Sequence, residues 1–297
     1  MPIPILIDTD IGDDIDDALA LAVALNSPEI ELVGITTVFR DAPRRTLLVR
    51  ELLHLWNRKD IPVCAGCSQP FLTDLQTFPH GGPNVGKQFE ALDPTLKAEP
   101  TQHAALFLID QIRAHHARGE VLTVVPIGAL SNIALAFALA PETAQMCRIV
   151  MMGGKEKEAD ALGWGRAEWN ILCDPEAAAM VFRAGCDLKM VGLDVTLQCI
   201  LSEAEVAQFR GTNTPRAHFL ADLIALWSHD VILHDPLTVL TLFADLVSFE
   251  PRRIEVELCG EHRAVTKPLE GAPNCLVAVD VDAERAKSLF LERVLGR

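Results

Sequence analysis

An α/β fold built on a doubly wound, mostly parallel sheet is what this chain predicts, on three observations. Short β-branched apolar runs alternate with longer helical segments, the rhythm of successive βαβ units. Acidic and polar clusters fall just after those runs, where open α/β sheets carry their ligand sites. No Ser/Gly linker and no internal repeat divides the 297 residues, of which 49% are hydrophobic, so a single domain over 1–297 with one sizeable core is expected.

The first strand is the apolar run Ile3–Ile7, and the helix that answers it opens at Ala18-Leu19-Ala20-Leu21. Between them stand six aspartates: Asp8, Asp10, Asp13, Asp14, Asp16 and Asp17. Carboxylates this crowded repel one another, and a fold tolerates them where a cation or protons neutralise them. Asp13, Asp14 and Asp16 also suit an ordinary helix N-terminus, but so dense a run weighs towards hard-metal chemistry. Ile30–Val38 reads as the second strand, Arg44–Trp56 as a basic amphipathic helix after Pro43, and Pro62–Cys64 as a third strand. Phe71–Pro100, rich in Pro, Gly and polar residues, breaks the rhythm and reads as an active-site flap carrying His80.

Ala104–His115 is a helix and Val121–Ile127 the next strand, running through Gly128 into a helix that starts near Ser131 or Asn132. Ile149–Gly154 is a strand whose two final glycines let a ligand approach the backbone. Pro175 suits the first turn of a helix, and Lys189–Leu193 gives a further strand. The region after Thr196 is mainly helical, broken at Phe209–Pro215, and Arg253–Cys259 with Cys275–Val281 reads as a terminal antiparallel pair.

The formal net charge of −15 argues against a nucleic-acid partner, since phosphates need a basic face. No apolar run reaches a membrane span, and Asp8 ends the N-terminal run too early for a signal peptide. Eight cysteines at scattered spacings suit the reduced thiols of a cytoplasmic enzyme, and the lone Cys64/Cys67 CxxC has no second pair to make a zinc site.

Five stretches carry a family resemblance. Asp8-Thr9-Asp10-Ile11-Gly12 followed by Asp16-Asp17-Ala18-Leu19-Ala20 resembles the N-terminal signature of the inosine–uridine nucleoside hydrolases, in a loop two residues longer than the short form and with Ile11 where Pro or Thr is usual. Thr36-Thr37-Val38 with Asp41 is similar to that family's TTVxGN loop, with Arg40 and Asp41 replacing Gly and Asn. Pro126–Asn132, Glu168-Trp169-Asn170-Ile171 with Asp174-Pro175-Glu176-Ala177-Ala178, and His234-Asp235-Pro236 resemble its remaining motifs in order.

The resemblance implies a Ca²⁺-dependent hydrolase that splits the N-glycosidic bond of ribonucleosides. Its metal ligands would be Asp10, Asp17, Asp235 and the carbonyl of Ile127, an all-oxygen set of the kind calcium prefers. Asp10 would be the general base towards a metal-bound water and His234 the acid that protonates the leaving base. Asp16, Asp41, His80, Met152, Glu168, Trp169 and Asn170 would contact the nucleoside, and the chain would assemble as a homodimer or homotetramer. Two other readings stay open on the sequence: a non-catalytic nucleoside- or sugar-binding homologue, and a phosphatase of the haloacid dehalogenase type, which also carries DxD after its first strand.

Overall fold

The computed structural model describes residues 2–75, 85–156, 167–227 and 229–296. The N-terminal half alternates β1 (Ile3–Thr9), α1 (Asp16–Asn26), β2 (Ile30–Thr37), α2 (Ala42–Leu55) and β3 (Val63–Ala65). Then come α3 (Ala104–Ala117), β4 (Leu122–Pro126), α4 (Ser131–Leu139) and β5 (Cys147–Met152). Next are α5 (Trp169–Cys173), α6 (Pro175–Arg183), β6 (Asp187–Val191) and α7 (Leu193–Thr196). The C-terminal part holds α8 (Glu203–Gly211), α9 (Pro215–Leu226), α10 (His234–Leu240), β7 (Val247–Val256), β8 (Thr266–Leu269), β9 (Cys275–Val281) and α11 (Ala283–Leu295).

The strands form one sheet in the order β3-β2-β1-β4-β5-β6-β9-β7-β8. Every pair from β3 across to β9 is parallel, and β7 runs antiparallel to both β9 and β8. The C-terminal expectation therefore needs correction. The antiparallel strand starts at Val247 rather than Arg253, β8 lies between the pair in sequence, and β9 also extends the parallel sheet beside β6. The strand β6 ends at Val191, two residues before the expected Leu193, because Gly192 turns the chain into α7.

Alternation along the strands sends side chains to opposite faces. Ile5 and Ile7 join the core packed with α1, α2, α10 and α11, whereas Leu6 joins the core with α3, α4 and α6. The run Ala18–Ala24 of α1 is buried on every side, which is why it is apolar all round rather than amphipathic. It packs against α10, and that contact carries the start of α10 to the start of α1. Strand order reverses between β1 and β4, and a crevice opens there beyond the carboxyl ends of the strands.

Candidate active site

β1 delivers the acidic loop into this crevice. Asp8 is wholly buried and serves the sheet, accepting from Thr36 Oγ1 at 2.5 Å and Asn132 Nδ2 at 2.8 Å. Thr9 donates to Asp17, and its hydroxyl also accepts from the Ile11 N–H at 3.1 Å, so the strand end and the first turn of α1 are tied together. The loop turns at Gly12, whose φ of 125° suits glycine and where a Cβ would meet the Phe89 ring at 2.8 Å. The loop after β4 comes equally close. A Cβ at Gly128 would lie 2.7 Å from Asp10 Oδ1.

Two helices begin at the crevice. Asp16 and Asp17 lie in the first turn of α1, and Asp235 in the first turn of α10, where helix N-termini favour negative charge. Their carboxylates converge: one oxygen from each of Asp16, Asp17 and Asp235 lies within 4.8 Å of the others, a grouping that could hold a metal ion. The Asp235 N–H also donates to Asp16 Oδ2 at 3.4 Å.

These acids form one wall of a cavity of about 380 Å³. Of the residues singled out from the sequence, Asp10, Asp16, Asp17, Ile127, Met152, Glu168, Trp169, Asn170, His234 and Asp235 all line it. Asp41 does not. It is the exposed N-cap of α2, accepting from the Arg44 N–H at 3.2 Å, because capping turns its side chain along the helix start. His80 lies outside the described residues. The convergent group of acids contains Asp16 and not the expected Asp10, and Ile127 O accepts from Asn170 Nδ2 at 3.1 Å. Asp13, Asp14, Leu193 and Trp227 also line the cavity, and no sequence signal assigned them there. Only the density of acids hinted at the first two.

The chain matches the family model for inosine-uridine preferring nucleoside hydrolase over residues 5–288. It belongs to that family. A probable uridine nucleosidase 2 of Arabidopsis thaliana is 35% identical, covering 98% of this chain and 97% of the relative. A solved plant nucleoside hydrolase, the PpNRh1 enzyme, superposes with a TM-score of 0.87 at 26% identity over the whole of both chains. A purine-preferring ribonucleoside hydrolase from Gardnerella vaginalis superposes with a TM-score of 0.83 at 31% identity, covering 99% of this chain and 98% of that one. As a nucleoside hydrolase the protein is an enzyme acting on N-glycosyl compounds, which sets the phosphatase reading aside. No helix among the described residues is long and apolar enough to cross a membrane.

The electrostatics of this nucleoside hydrolase site follow from burial. Desolvation pushes Asp10 up to about 7, with the Arg45 guanidinium opposing. Burial likewise raises Asp14 to about 6. Asp16 and Asp235 are pushed well above the carboxylate range by burial and then by neighbouring aspartates, and Asp17 by burial and then Asp10. Glu168 is raised by burial, against backbone N–H groups of Asn170 at 2.7 Å, Gly154 at 2.9 Å and Ile171 at 3.0 Å that hold its carboxylate in place. His234 is pushed down to about 4 by burial, and its Nδ1 is 2.7 Å from Thr196 Oγ1. Burial therefore shifts these acids towards their protonated forms and the His234 imidazole towards its neutral form. An all-oxygen donor set whose members raise one another's proton affinity fits a hard divalent cation, which would replace those protons.

Proposed function

We propose that this protein hydrolyses ribonucleosides to ribose and free base with Ca²⁺ as its cofactor. The convergence of Asp16, Asp17 and Asp235 beside Asp10 and Ile127 carries this reading. Asp10, Asp17, Asp235 and the Ile127 carbonyl would hold the cation, which would supply a more acidic water at the sugar. Asp10 then takes the proton of the attacking water, whose oxygen forms the new bond to the anomeric carbon as the bond to the base breaks. Asp16, Glu168 and Asn170 hold the sugar hydroxyls, and the carboxylates stabilise the oxocarbenium-like charge that develops on the ring.

Trp169, Trp227, Met152 and Leu193 supply an apolar wall for the base. His234 protonates the departing base. Burial pushes its pKa down to about 4, so the ring first takes up a proton from solvent, which the negative charge developing on the base favours. It then passes that proton to the base as the glycosidic bond breaks. The cytoplasmic assignment and the homodimer or homotetramer belong to the same reading, supported by eight free thiols and by the family resemblance. Product analysis over purine and pyrimidine ribosides, with calcium and then with chelator, tests it. Release of base and ribose that stops on chelation is expected. Binding without release from any riboside would favour a non-catalytic nucleoside-binding protein.

A further inference from the structure

The long form of the acidic loop adds two acids, Asp13 and Asp14, and the proposed chemistry gives Asp13 no task. Asp13 has another partner. Arg45, from the first half of α2, is only 1% exposed. Its guanidinium donates to three carbonyls from two different loops: Phe39 O at 2.9 Å, Ile11 O at 2.8 Å and Asp10 O. The Phe39 carbonyl sits where the backbone is strained, since Phe39 and Arg40 have φ of 67° and 55°. The remaining nitrogen, Nη2, donates to Asp13 Oδ2 at 3.0 Å. Arg45 is thus a clamp on the backbone of the residue that carries the proposed base.

Such a clamp puts a permanent buried cation beside a site built for another cation. Asp13 answers that conflict. Its Oδ2 also accepts from Arg40 Nη1 at 3.3 Å, and its Oδ1 accepts from the Gly86 N–H at 2.9 Å. Both oxygens are engaged by these donors, and Asp13 is not in the group formed by Asp16, Asp17 and Asp235. We infer that Asp13 is the counter-ion and tether of Arg45, a pair that positions the Asp10 backbone while keeping the Arg45 charge from repelling the bound cation. Asp13 and Arg45 are then positioning residues, and the inference rests on the calcium reading above.

Calorimetric titration of Ca²⁺ into the metal-stripped protein, without nucleoside, tests it. Asp13→Asn keeps an acceptor oxygen but leaves the Arg45 charge unbalanced, so the Kd for calcium should rise on the order of tenfold. Asp13→Asn combined with Arg45→Gln removes both charges, so the Kd should fall by about threefold or more from the Asp13→Asn value, while the lost clamp on the Asp10 backbone keeps it above wild type. A double variant that binds no better than Asp13→Asn alone would make Asp13 a ligand and overturn the inference. Should the double variant fail to fold, judged by circular dichroism, Asp13→Glu decides. It keeps the charge one methylene farther out, and a Kd within about threefold of wild type is expected, whereas a loss of about tenfold or more overturns the counter-ion role. No binding heat from the wild-type protein would overturn the calcium reading itself and the inference with it; wild-type binding with unrescued variants overturns the inference alone.

Discussion

Asp174 and Asp235 are both buried aspartates at the start of a helix, and each is followed by proline. Asp174 is the N-cap of α6. Its Oδ1 accepts from the Ala177 N–H at 3.1 Å, and its Oδ2 accepts from Ser131 Oγ at 2.6 Å and the Phe71 N–H at 3.0 Å. Asp235 sits one step inside its helix, which begins at His234, so its carboxylate does not cap and instead meets Asp16 and Asp17. Burial raises the pKa of both. At Asp174 hydrogen-bond donors oppose the rise, whereas at Asp235 other carboxylates add to it. A buried acid surrounded by donors stabilises the fold; one surrounded by acids is stable only with protons or a cation.

The sharpest way to break this comparison is at the acid-facing end. Asp10→Asn keeps the shape and one oxygen but removes the proposed base, so turnover should fall by roughly 10²–10⁴-fold while the melting temperature holds. Activity within a few-fold of wild type would place the base elsewhere, with Asp14 next in line. His234→Ala should slow a natural nucleoside by about 10²–10⁴-fold, the usual cost of a lost general acid. The same variant should barely slow a nitrophenyl riboside, whose leaving group departs without a proton. Equal slowing of both substrates would show that His234 positions the sugar or the cation instead.

At the donor-facing end the expectation inverts. Asp174→Asn should cost about 1–3 kcal/mol of stability, because a buried donor loses its acceptor, with kcat left near wild type. A large loss of kcat at an unchanged unfolding midpoint would erase the distinction between the two aspartates.

The smallest effect is a slope with pH. Burial pushes Asp10 up to about 7 and Asp14 up to about 6, above the ordinary carboxylate value of 3.8. The folded, metal-free protein therefore holds protons that the unfolded chain has released. Their contribution is complete below about pH 4 and is lost as pH rises through 6 and 7, so the metal-free melting temperature should fall over that range. Calcium at about a hundred times its Kd should add about 2.7 kcal/mol and flatten the slope. A metal-free protein that grows more stable from pH 5 to 8 would contradict the burial of these acids.

Much of the candidate site's placement was legible because strand, loop and helix start are local. Asp10, Asp16 and Asp17 lie where a β-branched run gives way to an Ala/Leu helix, and Glu168, Asn170, His234 and Asp235 lie at comparable boundaries. Local spacing misled at Asp41, where a loop position similar to the family's was filled by a residue whose better partner is its own helix start. Arg44 and Arg45 show the limit most plainly. They are adjacent and identical in type, yet Arg44 is exposed and Arg45 is buried against the acidic loop. Which of two neighbours turns inward depends on how α2 is seated on the sheet.

By itself, then, the sequence determined the alternation of strands and helices, the parallel sheet and the crowding of acids after β1, since hydrophobic period and helix-start chemistry act over a few residues. Only the tertiary structure decided that Asp235, more than two hundred residues from Asp16 and Asp17, completes their group. It also decided that Asp174, in the same dipeptide setting, caps a helix, and that Arg45 clamps Asp10 from α2. Those outcomes rest on the packing of α10 against α1 and on a two-residue difference in helix register, and both are set by how whole elements bury their faces.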